Sequence, residues 1–212
     1  MEWNKEELDA ITRQVLAQID TENFGGEGAY NLRYNGTSIC HGDTEHIKIK
    51  RKTDRQGIDV YISKEAQGEQ VVLAVPGMTD IVYNDFYIEE GADVTIVAGC
   101  GIHNAGCDNA RHDGIHAFHV GKHANVRYEE KHYGEGEGTG EKILNPVTEI
   151  DLEEGAVFTL DTAQIRGVDS TVRKTRVRMK ENSRLYVPER LMPHDAQPAV
   201  SDIDVEMNGA GT

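Results

Sequence analysis

Cationic side chains are scarce in this sequence. Against 37 Asp and Glu stand 22 Lys and Arg, giving a formal net charge of −15 and a pI near 5.0. Phosphate backbones are bound by clustered Lys and Arg, so this balance argues against a nucleic-acid partner, and equally against an anionic membrane surface. Cysteine is sparse as well: three residues, an odd number, with no secretory signal. That pattern predicts thiols in a reducing cytosol rather than a disulfide framework. The first ten residues, MEWNKEELDA, lack the apolar segment of a signal peptide, so a cytoplasmic location is expected. No run of 18 apolar residues occurs, which leaves no candidate membrane-spanning helix. A phosphate-cradling loop is lacking too. GEGEGTGEK (Gly134–Lys142) is glycine-rich, but Glu141 separates Gly140 from Lys142 and three glutamates repel phosphate. It reads as a flexible turn, and no nucleotide is expected to bind this chain.

What is present begins with one helical pattern. Leu8, Ile11, Val15 and Ile19 recur at spacings of three and four, Asn4 suits a cap, and Gly25, Gly26 and Gly28 break the chain. Residues 1–28 are therefore expected to form a short N-terminal helical appendage. From Tyr30 the period changes to two. Runs such as Ile47–Ile49, Ile58–Ile62, Val71–Val75 and Asp93–Val97 alternate with turn residues, and no second helix is predicted.

A repeat organises this region. EEGADVTIVAG, GKHANVRYEEK, EEGAVFTLDTA, KENSRLYVPER and MNGAGT each place a small residue after a polar turn and, in all but the last, before an alternating strand. The small residues are Ala92, Ala124, Ala156, Ser183 and Ala210, separated by 32, 32, 27 and 27 positions. A near-constant period of this size marks a solenoid, whose coils bury their faces only against neighbours. A tight turn and strand at each period favours stacked β coils over a sandwich. The expected fold is all-β, a parallel β-helix spanning residues 29–212. The last repeat opens a coil that the sequence does not complete, so the domain is expected to continue or to be covered by another chain.

The chemistry concentrates between Ala98 and Tyr133. This stretch holds Cys100, Cys107 and six of the nine histidines. Thiolate and imidazole are ligands for zinc, copper and iron–sulfur iron. Cys100-x₂-His103 and Cys100-x₆-Cys107 are workable ligand spacings that match no standard zinc motif. Cys100, between Gly99 and Gly101, is expected at a sharp turn with its sulfur accessible, although a small buried hydrophobe would also fit there. Cys100, Cys107, His103, His112 and His116 form the candidate metal-ligating set. Strand alternation puts His116 and Phe118 on one face with Ala117 and His119 on the other. His119 and His123 read as surface residues. Glu129, Glu130 and Lys131 read as a solvated strand face, and the basic run Arg166–Arg178 as a solvated outer face or a docking surface for an acidic partner.

Several separate segments carry a resemblance: the strand leading into Ala-Gly-Cys100, VYNDF (Val82–Phe86), HDGIH (His112–His116), KHYGEG (Lys131–Gly136), Gly167–Thr171 and the Gly-Ala turn repeat. Together they resemble the core domain of the SufB/SufD family, in a short SufB-type form. The resemblance covers nearly the whole chain and is strongest from about residue 80. It implies a right-handed β-helix acting as a scaffold for iron–sulfur cluster assembly, with no turnover of its own. It implies as partners a SufC-type ABC ATPase, a cysteine desulfurase or other sulfur donor, and a second copy or a sister subunit. Cys100 falls at the family's sulfur-accepting cysteine, and His116 at the histidine after that loop. Cys107 and His103 have no counterpart in the longer members. Cluster ligation by Cys100 and Cys107 with help from His116 is chemically reasonable. Two other functions stay open: a zinc or iron enzyme on a β-solenoid, and a purely structural β-helix.

Overall fold

This computed structural model describes residues 28–77, 79–193 and 196–212, with the side chains of 75–77, 79 and 80 set aside. The expected N-terminal helix lies outside the described residues. Among the described residues every regular element is a strand. In chain order these are β1 (Ala29–Tyr34), β2 (Thr37–Gly42), β3 (Ile47–Arg51), β4 (Gly57–Ile62), β5 (Gln67–Gly77), β6 (Thr79–Ile88), β7 (Asp93–His103) and β8 (Ala110–Val120). Then follow β9 (Asn125–Glu135), β10 (Lys142–Leu144), β11 (Val147–Leu152), β12 (Val157–Arg166), β13 (Ser170–Met179), β14 (Arg184–Tyr186), β15 (Glu189–Leu191) and β16 (Ala199–Met207). No helix among the described residues is long and apolar enough to cross a membrane.

The strands build two sheets. One runs β14-β12-β9-β7-β5-β1-β2 with β15 also on β12; the other runs β10-β13-β11-β8-β6-β4-β3 with β16 on β13. Among the described residues only the hairpins β1–β2 and β3–β4 are antiparallel; β5, β7, β9 and β12 pair in parallel, as do β6, β8, β11, β13 and β16. From β5 onward the chain passes back and forth between the sheets, with β10 and β11 both in the second and β14 and β15 both in the first. In the first sheet Asp93 pairs with Asn125, Asn125 with Val157, and Val157 with Arg184, steps of 32, 32 and 27 by subtraction. These are the periods read from the small residues.

The repeat has a physical cause at the turn. Ala92, Ala124, Ala156 and Ser183 are buried at one corner. The amides of Asn125, Val157 and Arg184 donate to the carbonyls of Ala92, Ala124 and Ala156 at 2.8 Å. Asp93 N–H donates to the Ala66 carbonyl in the same way, at 2.9 Å, adding an earlier turn of the same kind. The residue before each small one takes a left-handed conformation: Gly91 (φ 75°), His123 (φ 56°), Gly155 (φ 68°) and Asn182 (φ 57°). His and Asn tolerate this region better than most side chains. His123 is thus a turn residue.

The inner faces of the two sheets meet in a core that is divided along the strands. Towards one end it is apolar. Phe86 stacks on Phe118 (centroids 4.5 Å), and Phe118 packs edge-on to Phe158 (5.0 Å), among Val94, Ile96, Ile150 and Val177. Towards the other end the inward positions turn polar. The last strand, β16, repeats the alternation, yet Ile203 and Met207, in register with Thr175 and Met179, are 44% and 65% exposed.

The outer face of β13 is covered by charge ladders. Arg176 and Arg178 stand beside Glu149 and Asp151 of β11, with Asp204 and Glu206 of β16 in register on the other side. They are outward as expected, but they are neutralised by neighbours, which weakens the reading of a basic docking surface. Arg173 departs from that reading. It has the opposite parity on the strand and is buried.

Candidate functional site

Strand alternation builds the polar end row by row. On β7 the inward residues run Val94, Ile96, Ala98, Cys100; on β9 they run Val126, Tyr128, Glu130, His132. Register makes Cys100 the neighbour of His132, and His132 the neighbour of Gln164 on β12; Glu130 sits between Ala98 and Thr162. On the facing sheet, His116 lies between Asn84 and Thr148, and His112 beside Leu144. All of these polar side chains are buried, His132 and Glu130 almost completely.

Arg173 ties the two sheets together. From β13 its guanidinium donates to Glu130 Oε2 (3.1 Å), to Glu189 Oε1 (3.1 Å) and to His132 Nδ1 (3.1 Å). An arginine can only donate. His132 Nδ1 is therefore the acceptor, and the proton of the neutral ring sits on Nε2. Tyr128 O–H donates to Glu130 Oε1 at 2.9 Å. Nε2 of His132 and Nε2 of His116 each lie 3.6 Å from that same oxygen, too far for a direct hydrogen bond. His116 Nδ1 is 3.3 Å from the Asn84 amide nitrogen. A Cβ at Gly114 would come within 2.7 Å of His116 Nε2 and 3.3 Å of His112 Nε2, so the glycine leaves room between the two rings.

Burial sets the protonation states. It drives His132 down to about 3 and His112 down to about 4, and lowers His116 as well. For Glu130 burial alone would raise the pKa, but His132, Arg173 and His116 together pull it down to about 2. Burial raises Tyr128. At neutral pH the cluster is one carboxylate, one guanidinium and three neutral imidazoles. Among the described residues, buried polar atoms without a hydrogen-bond partner gather here: Nε2 of His112, His116 and His132, Oδ1 of Asn31 and Asn84, Oγ1 of Thr162 and Oε1 of Gln164. Such atoms are rare in folded proteins and costly, so a concentration of them marks a place that takes water or a ligand.

No protein-family model matches this chain, and no curated protein or solved structure matches it either.

The five candidate ligands are not brought together. Cys100, His112 and His116 are buried at the polar end. Cys107 is exposed on the loop after β7, and His103 is exposed with Nδ1 3.9 Å from Glu135 Oε1. Among the described residues no group of three or more His, Cys, Asp or Glu is placed to hold a metal ion. The lone pair of His132 Nδ1 is already taken by Arg173, and the buried guanidinium repels a cation. His119, outward as expected, stacks on Tyr87 at 5.0 Å.

Three further expectations are corrected. Cys100 is within a strand and 1% exposed, not at a sharp turn. Gly101 serves packing: a Cβ there would lie 2.5 Å from the Tyr133 ring. The Gly134–Lys142 loop is glycine-rich because it is stacked on the Cys107 loop. Gly138 N–H donates to Asn104 at 3.0 Å, and Cβ atoms at Gly136, Gly138 and Gly140 would meet backbone of residues 104–108 at 2.0–2.4 Å. Glu130 is not on a solvated face, unlike Glu129 and Lys131 beside it. The parity of Val126, Tyr128, Glu130 and His132 was the available signal for Glu130 and His132. Arg173 carries the same signal, sharing its parity with Val177 and Met179 on β13.

Proposed function

We propose that this chain is a right-handed parallel β-helix of the SufB/SufD kind, serving as a cytoplasmic scaffold on which iron–sulfur clusters are assembled. The handedness is the one almost universal for parallel crossover connections. The observation that carries the function is the placement of Cys100: a thiol at the polar end of an otherwise apolar inner face, in register with His132 and within electrostatic reach of Tyr128 and Tyr133. A purely structural coil gains nothing from burying a carboxylate, a guanidinium and three imidazoles beside a cysteine, because ionic groups inside a core cost about as much as they return.

In this reading Cys100 is the sulfur acceptor. Its thiolate attacks the outer sulfur of a donor persulfide, R–S–SH. A new S–S bond forms on Cys100, the donor S–S bond breaks, and RS⁻ leaves. The cluster is cargo, passed through this site and not resident in it. A cysteine desulfurase supplies the sulfur, a SufC-type ATPase drives the conformational work, and a second copy or a SufB/SufD-type sister subunit completes the assembly. Cys107, on the exposed loop, is the outer candidate for cluster contact.

The test combines two measurements. Incubation with a persulfide donor should add one sulfur, about 32 Da, to Cys100. Anaerobic reconstitution with iron and sulfide should give visible charge-transfer absorption that is lost in Cys100→Ser. Colourless protein that binds zinc tightly would favour a metalloenzyme, and neither metal nor sulfur uptake would leave a structural coil.

A further inference from the structure

We infer that the polar end of the core is a binding site for one structural water molecule, held by His116 Nε2, His132 Nε2 and Glu130 Oε1. The class of ligand that fits is a small neutral molecule that accepts two hydrogen bonds and donates at least one. The site uses no atom of Cys100, so it stands or falls apart from the sulfur-acceptor reading.

The spacing of three atoms comes first. Nε2 of His116 and Nε2 of His132 each lie 3.6 Å from Glu130 Oε1, just beyond direct hydrogen-bond reach. Between buried groups, a polar separation of that size is where a bridging water belongs. Among the described residues both Nε2 atoms are buried without a hydrogen-bond partner. The three side chains are at most 3% exposed. A buried water takes about two to four polar partners, and three converge here.

The placing of protons is the second support. Arg173 donates to His132 Nδ1 at 3.1 Å, and the Asn84 amide nitrogen faces His116 Nδ1 at 3.3 Å. Guanidinium and amide nitrogens only donate. Each Nδ1 is therefore the acceptor, and each Nε2 carries the proton. Two N–H donors thus stand beside one carboxylate oxygen, which also accepts from Tyr128 O–H at 2.9 Å. A water accepts from both rings and donates to that oxygen.

Charge excludes an ion. Arg173 is shared between Glu130 and Glu189, 3.1 Å from each, and burial keeps both rings neutral. A cation would meet the guanidinium and two N–H groups; an anion would meet the Glu130 carboxylate. A neutral guest meets neither cost. Room comes from Gly114, where a Cβ would lie 2.7 Å from His116 Nε2 and 3.3 Å from His112 Nε2. Through the water His116 of β8 is tied to β9, as Arg173 ties β13 to it.

The experiment is water-selective NMR on the full chain with ¹⁵N-labelled histidine. At pH 7 the Nε2–H protons of His116 and His132 should each give a cross-peak at the water frequency. Its sign should be opposite in laboratory-frame and rotating-frame spectra, the mark of a bound water rather than of proton exchange. Gly114→Ala, whose methyl takes the space beside His116 Nε2, should abolish both peaks. No cross-peak, equal signs, a proton on either Nδ1, or peaks that persist in a folded Gly114→Ala would overturn the inference. Should Gly114→Ala not fold, the spectra of the unsubstituted chain decide alone.

Discussion

Acid should loosen this fold well above the pH at which carboxylates titrate. His112 and His132 are held neutral inside the core at about 4 and about 3, whereas unfolded histidine titrates near 6.5. The unfolded chain therefore binds more protons below pH 6.5, and stability falls as pH falls. At pH 5 both rings are still neutral in the folded chain and almost fully charged in the unfolded one. Each then contributes about 2 kcal/mol of lost stability, from 1.5 pH units at about 1.4 kcal/mol per unit. The pair loses about 4 kcal/mol between pH 8 and pH 5, a large part of the roughly 5–15 kcal/mol that domains possess. Glu130, lowered to about 2, adds a loss of the same sign, but only below its unfolded value of 4.5. Relief of the negative net charge works in the opposite direction, so the decisive comparison is with a variant that shares it. His132→Gln should shrink the loss between pH 8 and pH 5 by about 2 kcal/mol, read from urea unfolding at each pH. Equal pH slopes in the two proteins would refute the argument that His132 is buried neutral.

Other perturbations separate the two ends of the core and its two faces. Arg173→Met should cost about 3–5 kcal/mol by stranding the Glu130 charge, and adding Glu130→Gln should recover part of it, measured as a double-mutant cycle. Arg178→Ala, on the outer face of the same strand, should cost less than about 1 kcal/mol, since exposed ion pairs contribute little. Phe118→Ala should cost about 3–5 kcal/mol in thermal or urea unfolding, because its ring is packed between Phe86 and Phe158. Gly136→Ala places a Cβ 2.1 Å from the Asn104 carbonyl at a φ of +98°, and should destabilise by more than about 1 kcal/mol.

The sequence alone determined the strands, the turn and the period. Alternation is local, so the shared face of His116 and Phe118 followed from spacing, and the small residues Ala92, Ala124, Ala156 and Ser183, all buried, marked the corner. Applied to Glu130, the same parity would have placed it inside; charge was instead read as exposure, the commoner outcome for a carboxylate. The tertiary structure decided the rest. Arg173 and Glu130 are 43 residues apart, and only the placing of one sheet against the other brings them to 3.1 Å. Cys107 and His103 follow Cys100 closely in the chain, yet His103 ends β7 with outward parity and Cys107 lies on the exposed loop beyond it, while the register leaves His132, 32 positions on, as the neighbour of Cys100. Contact here follows the stacking period and the facing of two sheets, and neither is a property of any short stretch of chain.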